Sequence, residues 1–203
     1  PPAAPPVPPT PTPEPEPWQQ KAQMPVSVSS ATASVVEGRV YLIGGGKFAH
    51  EPALAKVQIY DPATDAWAQG AEMPTPRSFL ASSVVGGKIF VFGGSPTWSL
   101  ASALPTVEVY DPATDTWEKR ADMPTPRSGF STHAIEDKIY LFGGDPACAC
   151  SVEVYDPAAD RWEKRTDMPT PRTRAGSALL DGRVYLIAGY LPGSDPTPIV
   201  DVY

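Results

Sequence analysis

Cysteine and histidine are nearly absent from this 203-residue chain, with two of each. The cysteines stand together at Cys148 and Cys150 and the histidines far apart at His50 and His133, so no spacing for a structural zinc site occurs. No cofactor or metal is expected. Long apolar runs are missing as well: none approaches the roughly 18 residues that would span a bilayer, so no membrane span is expected within these residues. Basic charge is in the minority, 16 Lys and Arg against 23 Asp and Glu for a net charge of −7, which argues against nucleic acid as a partner. There is no Ser/His/Asp set with a nucleophile elbow and no phosphate-cradling glycine loop.

Proline, by contrast, is abundant. Residues 1–17, PPAAPPVPPTPTPEPEP, contain ten prolines and no aromatic residue. They cannot form a core and favour extended polyproline II, so this is read as a separate leader, a semi-rigid spacer reaching on the order of 50 Å. The chain opens on Pro1 instead of Met; removal of an exported leader and a cloned fragment both fit, and processing is the favoured expectation. On that reading the location is extracytoplasmic (periplasmic, cell-surface or secreted), with anchoring upstream of Pro1.

The rest, 18–203, repeats. Met-Pro falls at Met24, Met73, Met123 and Met168, at intervals of 49, 50 and 45 residues. Glycine pairs close a four-residue apolar run at Gly44-Gly45, Gly93-Gly94 and Gly143-Gly144, with Ala188-Gly189 as a degenerate fourth. Tyr-Asp-Pro follows at Tyr60, Tyr110 and Tyr155, each with a tryptophan seven residues on, at Trp67, Trp117 and Trp162. Those tryptophans precede the next Met by six residues, and Trp18 precedes Met24 by the same interval. A period near 50 with apolar runs of strand length fits a propeller blade and not a helical solenoid.

Each module reads as four short antiparallel strands. Small residues dominate the first (29–36, 79–85, 130–135, 175–180), and two-residue turns such as Glu37-Gly38 and Gly86-Gly87 lead to the second (40–43, 89–92, 139–142, 184–187). The second is apolar at every position and therefore covered on both faces. The third alternates (56–60, 106–110, 151–155, 199–203), and the Asp-Pro turn leads to a fourth carrying the tryptophan. The aromatic Tyr and Trp anchors and the glycine doublets are read as structural.

The doublets, the Tyr and Trp seven apart and the Met-Pro-x-Pro-Arg lead-in resemble the kelch repeat over residues 18–203. The resemblance implies an all-β, kelch-type β-propeller of four modules with four antiparallel strands each. The last module ends at Tyr203 without its Trp strand, so the strand carrying Trp18 is expected to complete it and close a ring of four. The rival is a longer ring, its remaining modules absent or supplied by another subunit.

Lead-ins and post-glycine loops should share one rim. It would carry Arg77, Arg127, Arg172, Arg174, Trp98, Tyr190, Phe48 and His50, the candidate partner-binding residues. The first three arginines recur at one offset, so a second role, hydrogen-bonding backbone carbonyls, stands beside ligand capture; Arg174 breaks the repeat. The 94–107 loop is read either as a partner surface built on Trp98, Leu100 and Leu104 or as folded over its own blade. Cys148 and Cys150 are read as a disulfide or as thiols. The resemblance by itself names no ligand or reaction; in function the chain is read as a non-enzymatic interaction or assembly module, exported from the cytoplasm, that holds a protein partner through this rim. The alternative is a binder of acidic small molecules, or a sugar epimerase-like enzyme, using the arginine-rich mouth. Copper-radical kelch oxidases need ligands this chain lacks, and no acid and base pair for a sialic-acid epimerase is evident.

Overall fold

A computed structural model describes residues 18–48, 51–99, 102–146, 149–192 and 195–203. The proline leader, His50, Leu100 and Cys148 lie outside them, and so does the pairing proposed for Cys148 with Cys150. Among the described residues there is no α-helix. The first blade comprises β1 (Thr32–Val36), β2 (Arg39–Ile43), β3 (Val57–Asp61) and β4 (Ala66–Gly70). The second comprises β5 (Ala81–Val85), β6 (Lys88–Phe92), β7 (Val107–Asp111) and β8 (Thr116–Lys119). A short β9 (Arg127–Ser128) introduces the third blade, β10 (Ser131–Ile135) and β11 (Lys138–Phe142), and pairs with β12 (Asp145–Pro146) before β13 (Val152–Asp156) and β14 (Arg161–Lys164). The fourth holds β15 (Gly176–Leu180), β16 (Arg183–Ile187) and β17 (Val200–Val202). Every blade is an antiparallel meander in chain order, innermost strand first.

Short-range chemistry accounts for the meander. In the first blade Val36 pairs with Arg39 across a two-residue loop in which Glu37 and Gly38 both have positive φ, a turn whose twist matches that of the strands it joins. The turn between the third and fourth strands is closed by its own aspartate: Asp61 Oδ1 accepts the Ala63 N–H at 2.9 Å, and Asp111 and Asp156 act alike toward Ala113 and Ala158.

Cores lie between blades. Val36, Ile43 and Val57 of the first pack on Met73, Leu80, Ile89 and Val91 of the second. Phe92 and Val107 pack likewise on Met123, Ile139 and Leu141, and Phe142 and Val152 on Met168, Val184 and Leu186. β6 and β11 are therefore covered from both sides, as their uninterrupted apolar sequence requires; for β2 and β16 that expectation is corrected, since each packs in one joint only and Val40 and Leu42 are half-buried while Ile187 is 45% exposed. At the axis, hydroxyls join the inner strands: Ser82 Oγ meets Thr32 Oγ1 at 2.6 Å and Ser34 Oγ at 2.8 Å, and Ser83 Oγ donates to Thr132 Oγ1 at 3.0 Å.

One expectation is corrected. The fourth sheet has three strands among the described residues, and Trp18 sits outside any strand with its side chain fully in solvent at 104% relative exposure. Residues after Trp18 dock instead on the first blade, where Trp67 Nε1 donates to Ala22 O at 2.9 Å and Ala22 N–H donates to Asp65 Oδ1 at 2.9 Å. The same two bonds hold Ala71 and Ala121 just after β4 and β8, so they leave Trp18 in the position of an outer strand, but among the described residues no pairing joins that segment to β17.

Candidate functional site: an aromatic and arginine mouth

Each lead-in runs beside its own post-glycine loop. Backbone bridges pair Ser29 with Gly46, Ser78 with Ser95, Ser128 with Asp145 and Thr173 with Tyr190. Lead-ins and loops therefore form one rim around the axis.

Three of the arginines expected on that rim are not on its surface. Arg77, Arg127 and Arg172 are 0%, 1% and 1% exposed, the largest fully buried side chains among the described residues. Arg77 Nη1 donates to Gly93 O and Thr106 O at 2.9 Å each, and Nη2 pairs with Glu108 Oε2 at 2.9 Å. Arg127 Nη1 donates to Gly143 O at 2.9 Å, while Nη2 donates to Ser151 Oγ at 2.7 Å and stands 2.8 Å from Glu153 Oε2. Arg172 takes Ala188 O at 3.1 Å and Ile199 O at 2.9 Å and pairs with Asp201. Burial pulls the Arg77 guanidinium down to about 10 against the opposing pull of Glu108, so it remains charged at neutral pH. These arginines tie the second and third strands of their own blade to the lead-in; a partner cannot reach them. Module one lacks the pair, with Val28 at the arginine position and Gln58 at the carboxylate position. Gln58 bonds instead to the Val26 backbone at 2.8 and 2.9 Å.

Those lead-ins also stitch blades together, which explains the glycine doublets. Gly45, Gly94 and Gly144 donate to the carbonyls of Arg77, Arg127 and Arg172 at 2.8, 2.9 and 3.2 Å. A Cβ on the preceding Gly44, Gly93 or Gly143 would stand 2.6, 2.3 or 2.4 Å from those carbonyls, and each has positive φ. On the outer side a Tyr, Asp and Trp clamp grips one alanine of the previous blade. Ala71 gives its N–H to Asp115 at 2.6 Å and its carbonyl to Trp117 Nε1 at 2.9 Å; Ala121 does the same with Asp160 and Trp162. Tyr110 and Tyr155 donate to the same aspartates and, buried, are held well above the ordinary phenol range.

What the rim does present is a ladder across the axis. Ser30, Phe79, Gly129 and Arg174 share one repeat position and positive φ, and Phe79 N–H donates to Ser30 O, Gly129 N–H to Phe79 O, and Arg174 N–H to Gly129 O, at 2.9, 2.9 and 2.7 Å. This hub aims their side chains into the mouth. Arg174 crosses over Gly129, where no side chain intervenes, and its guanidinium carbon lies 5.6 Å from the Phe79 ring centroid and 5.9 Å from that of Tyr190. Trp98 extends the row, edge-on to Phe79 at 5.6 Å, with its indole close over Gly46. Trp98 thus spans its own lead-in at Phe79 and the loop of blade one at Gly46 and is half-buried, whereas Arg174, Tyr190 and Phe48 are exposed. Phe79 escapes a reading that places it inside a strand; its signal is its shared register with Ser30, Gly129 and Arg174. The second histidine, His133, lies on β10 opposite Tyr140, and burial lowers its pKa. Among the described residues no group of three His, Cys, Asp or Glu side chains could hold a metal.

Radiating antiparallel blades with a central mouth define a four-bladed β-propeller. The family model described as the KLHDC2/KLHL20/DRC7 Kelch-repeats domain matches residues 10–189, and the chain belongs to the Kelch-repeat family. Such propellers are commonly protein-interaction modules. Among solved structures, one titled "Structure of YjhT" is similar with a TM-score of 0.68 at 15% identity, covering 91% of this chain and 84% of that chain. At that identity the likeness is one of fold. No curated protein matches.

Proposed function

We propose that this propeller is a non-enzymatic interaction module that holds a protein partner at its axial mouth, through an acidic side chain or a terminal carboxylate laid on Arg174. The observation that carries this reading is the exposed Arg174 guanidinium between Phe79 and Tyr190. Its guanidinium carbon lies over both rings, it is exposed, and among the described residues no carboxylate pairs with it. A planar fork fixed in that way suits a carboxylate, which it meets through two parallel hydrogen bonds. Phe79, Tyr190 and Trp98 offer apolar area around it, the composition of a small hot spot. The partner residues are therefore Arg174, Phe79, Tyr190, Trp98 and Phe48, without the three buried arginines. The proline-rich residues 1–17 support a further part of the reading, that the module works outside the cytoplasm, held off whatever precedes it.

A displayed random-peptide library panned against the purified chain tests the site. Enriched peptides are expected to carry Asp, Glu or a free C-terminus, and Arg174→Ala to weaken a chosen peptide at least tenfold with the fold intact. Enrichment of peptides that bind Arg174→Ala equally well overturns the assignment. Thermal stabilisation by an acidic sugar, lost in Arg174→Ala, would replace the protein partner with a small-molecule one.

A further inference from the structure

The mouth sets out its groups in an order that suits an extended acidic peptide. Trp98, Phe79, Arg174 and Tyr190 follow one another, with 5.6 Å between the Trp98 and Phe79 rings, 5.6 Å from the Phe79 ring to the Arg174 guanidinium carbon and 5.9 Å from there to the Tyr190 ring. The backbone that aims them is fixed by the hub, with Phe79 and Arg174 held at φ 54° and 51°. The cation thus has two rings on one side and one on the other, and among the described residues no carboxylate pairs with it.

Residues 1–17 carry the complement. Their only charged side chains are Glu14 and Glu16, and prolines occupy every second position from Pro9 to Pro17. Such a sequence favours polyproline II, in which residues three apart share a face at intervals of about 9 Å. Pro11, Glu14 and Pro17 then fall on one face, a carboxylate with a proline on each side. Aromatic surfaces take up prolines in this conformation at little ordering cost, because the helix is formed beforehand. The carboxylate between them meets a planar guanidinium through two parallel hydrogen bonds.

The same stretch is directed away from its own mouth. Ala22 is held on the outer side of blade one by Trp67 and Asp65, and from there the chain runs inward to the hub, where Ser30 O accepts the Phe79 N–H. Residues before Trp18 therefore start from the periphery. Glu14 precedes Trp18 by four residues, at most roughly 14 Å of chain. To lie over its own mouth it would have to turn back within a run where every second residue is proline, and fixed φ angles oppose that reversal. Reaching a second copy needs no reversal, since the extended leader spans on the order of 50 Å.

We infer that the mouth of one copy takes residues 11–17 of a second copy, with Glu14 on Arg174, one flanking proline at Phe79 and Trp98 and the other at Tyr190. The inference rests on the reading of the mouth as a site for an acidic group, and it names the partner that supplies that group. Each copy holds one mouth and one leader, so the contact is head-to-tail. The leader also competes with any other acidic ligand for Arg174.

Sedimentation equilibrium of the full 203-residue chain tests this. The mass is expected to rise with concentration above the 21.6 kDa of one copy. Arg174→Glu, at an exposed position, and Glu14→Lys, in the leader, should each weaken association at least tenfold and leave the circular dichroism unchanged. Mixing the two variants restores opposite charges at the contact and should restore association. A fluorescent peptide of residues 1–17 should bind the full chain saturably and lose at least tenfold in affinity for Arg174→Glu. A chain that stays monomeric at every concentration overturns the inference, even with its leader in its own mouth, and so does association or peptide binding indifferent to either substitution. If the leader peptide fails while library peptides still require Arg174, this inference alone falls; if no peptide requires Arg174, the reading of the mouth falls with it.

Discussion

The joint between blades two and three and the free face of blade four are built from the same repeat, and their difference shows which residues the repeat keeps for contact. In the joint, Phe92 and Val107 are sealed, Gly94 donates to Arg127 O, and Asp160 and Trp162 clamp Ala121. On the free face Ile187 and Val200 stand in solvent, the first glycine of the doublet has become Ala188, and Asp201, the partner of Arg172, is partly accessible. Apolar residues persist where nothing covers them, while the glycine, needed only against a neighbour's carbonyl, does not.

Breaking the ion pair on each side gives the largest contrast. Glu153→Ala leaves Arg127 as an uncompensated buried charge and should cost about 3–5 kcal/mol in urea unfolding. Asp201→Ala, at a site that water already reaches, should cost less than half as much; equal losses would mean that the covered and bare blades are energetically alike. Next in size is the glycine exchange. Gly93→Ala places a Cβ 2.3 Å from Arg127 O at φ +54° and should destabilise by about 2–3 kcal/mol, about 1 from the left-handed backbone and the rest from displacing that carbonyl, whereas Ala188→Gly, at φ 56°, should change unfolding by about 1 kcal/mol or less.

A smaller effect is read in acid. The Tyr155 hydroxyl and the Ala121 N–H hold the Asp160 carboxyl below its ordinary value. The unfolded chain therefore takes up that proton first, so the stabilisation is complete above about pH 4 and is lost as pH falls through the lowered native value. Asp160→Asn keeps an acceptor but cannot titrate, and it should flatten that part of the acid limb in a thermal-unfolding series against pH. Blade four, without an equivalent aspartate clamp among the described residues, gives no such limb of its own. Smallest is Arg174→Ala, which removes two exposed ring contacts and should lower stability by about 1 kcal/mol or less. A loss as large as that of Glu153→Ala would place Arg174 among the structural arginines.

Much of the architecture could be read from spacing alone. Glycine doublets, the Tyr and Trp seven apart and the Asp-Pro turns act within a few residues, so they locate strands and hairpins without knowledge of the rest. The arginines were ambiguous for a physical reason: a repeated cation at a blade entrance serves equally to bind a ligand or to tie carbonyls, and burial decides. A second signal was present in the acidic residue at the middle of the third strand. Glu108, Glu153 and Asp201 accompany Arg77, Arg127 and Arg172, while Gln58 accompanies Val28. Trp18 keeps the repeat's spacing to Met24 and its clamp, Trp67 and Asp65 on Ala22, but spacing does not report strand pairing, and among the described residues its segment does not join β17.

By itself the sequence determined a four-module, all-β Kelch-repeat chain, because turn chemistry, alternation and the Gly, Tyr and Trp anchors are local and recur. Only the tertiary structure decided which arginines are sealed and which is offered, because sequence spacing cannot report what lies across an axis. Arg174 meets Phe79 and Tyr190 over the gap left by Gly129, and blade four keeps its apolar face bare, through contacts between modules.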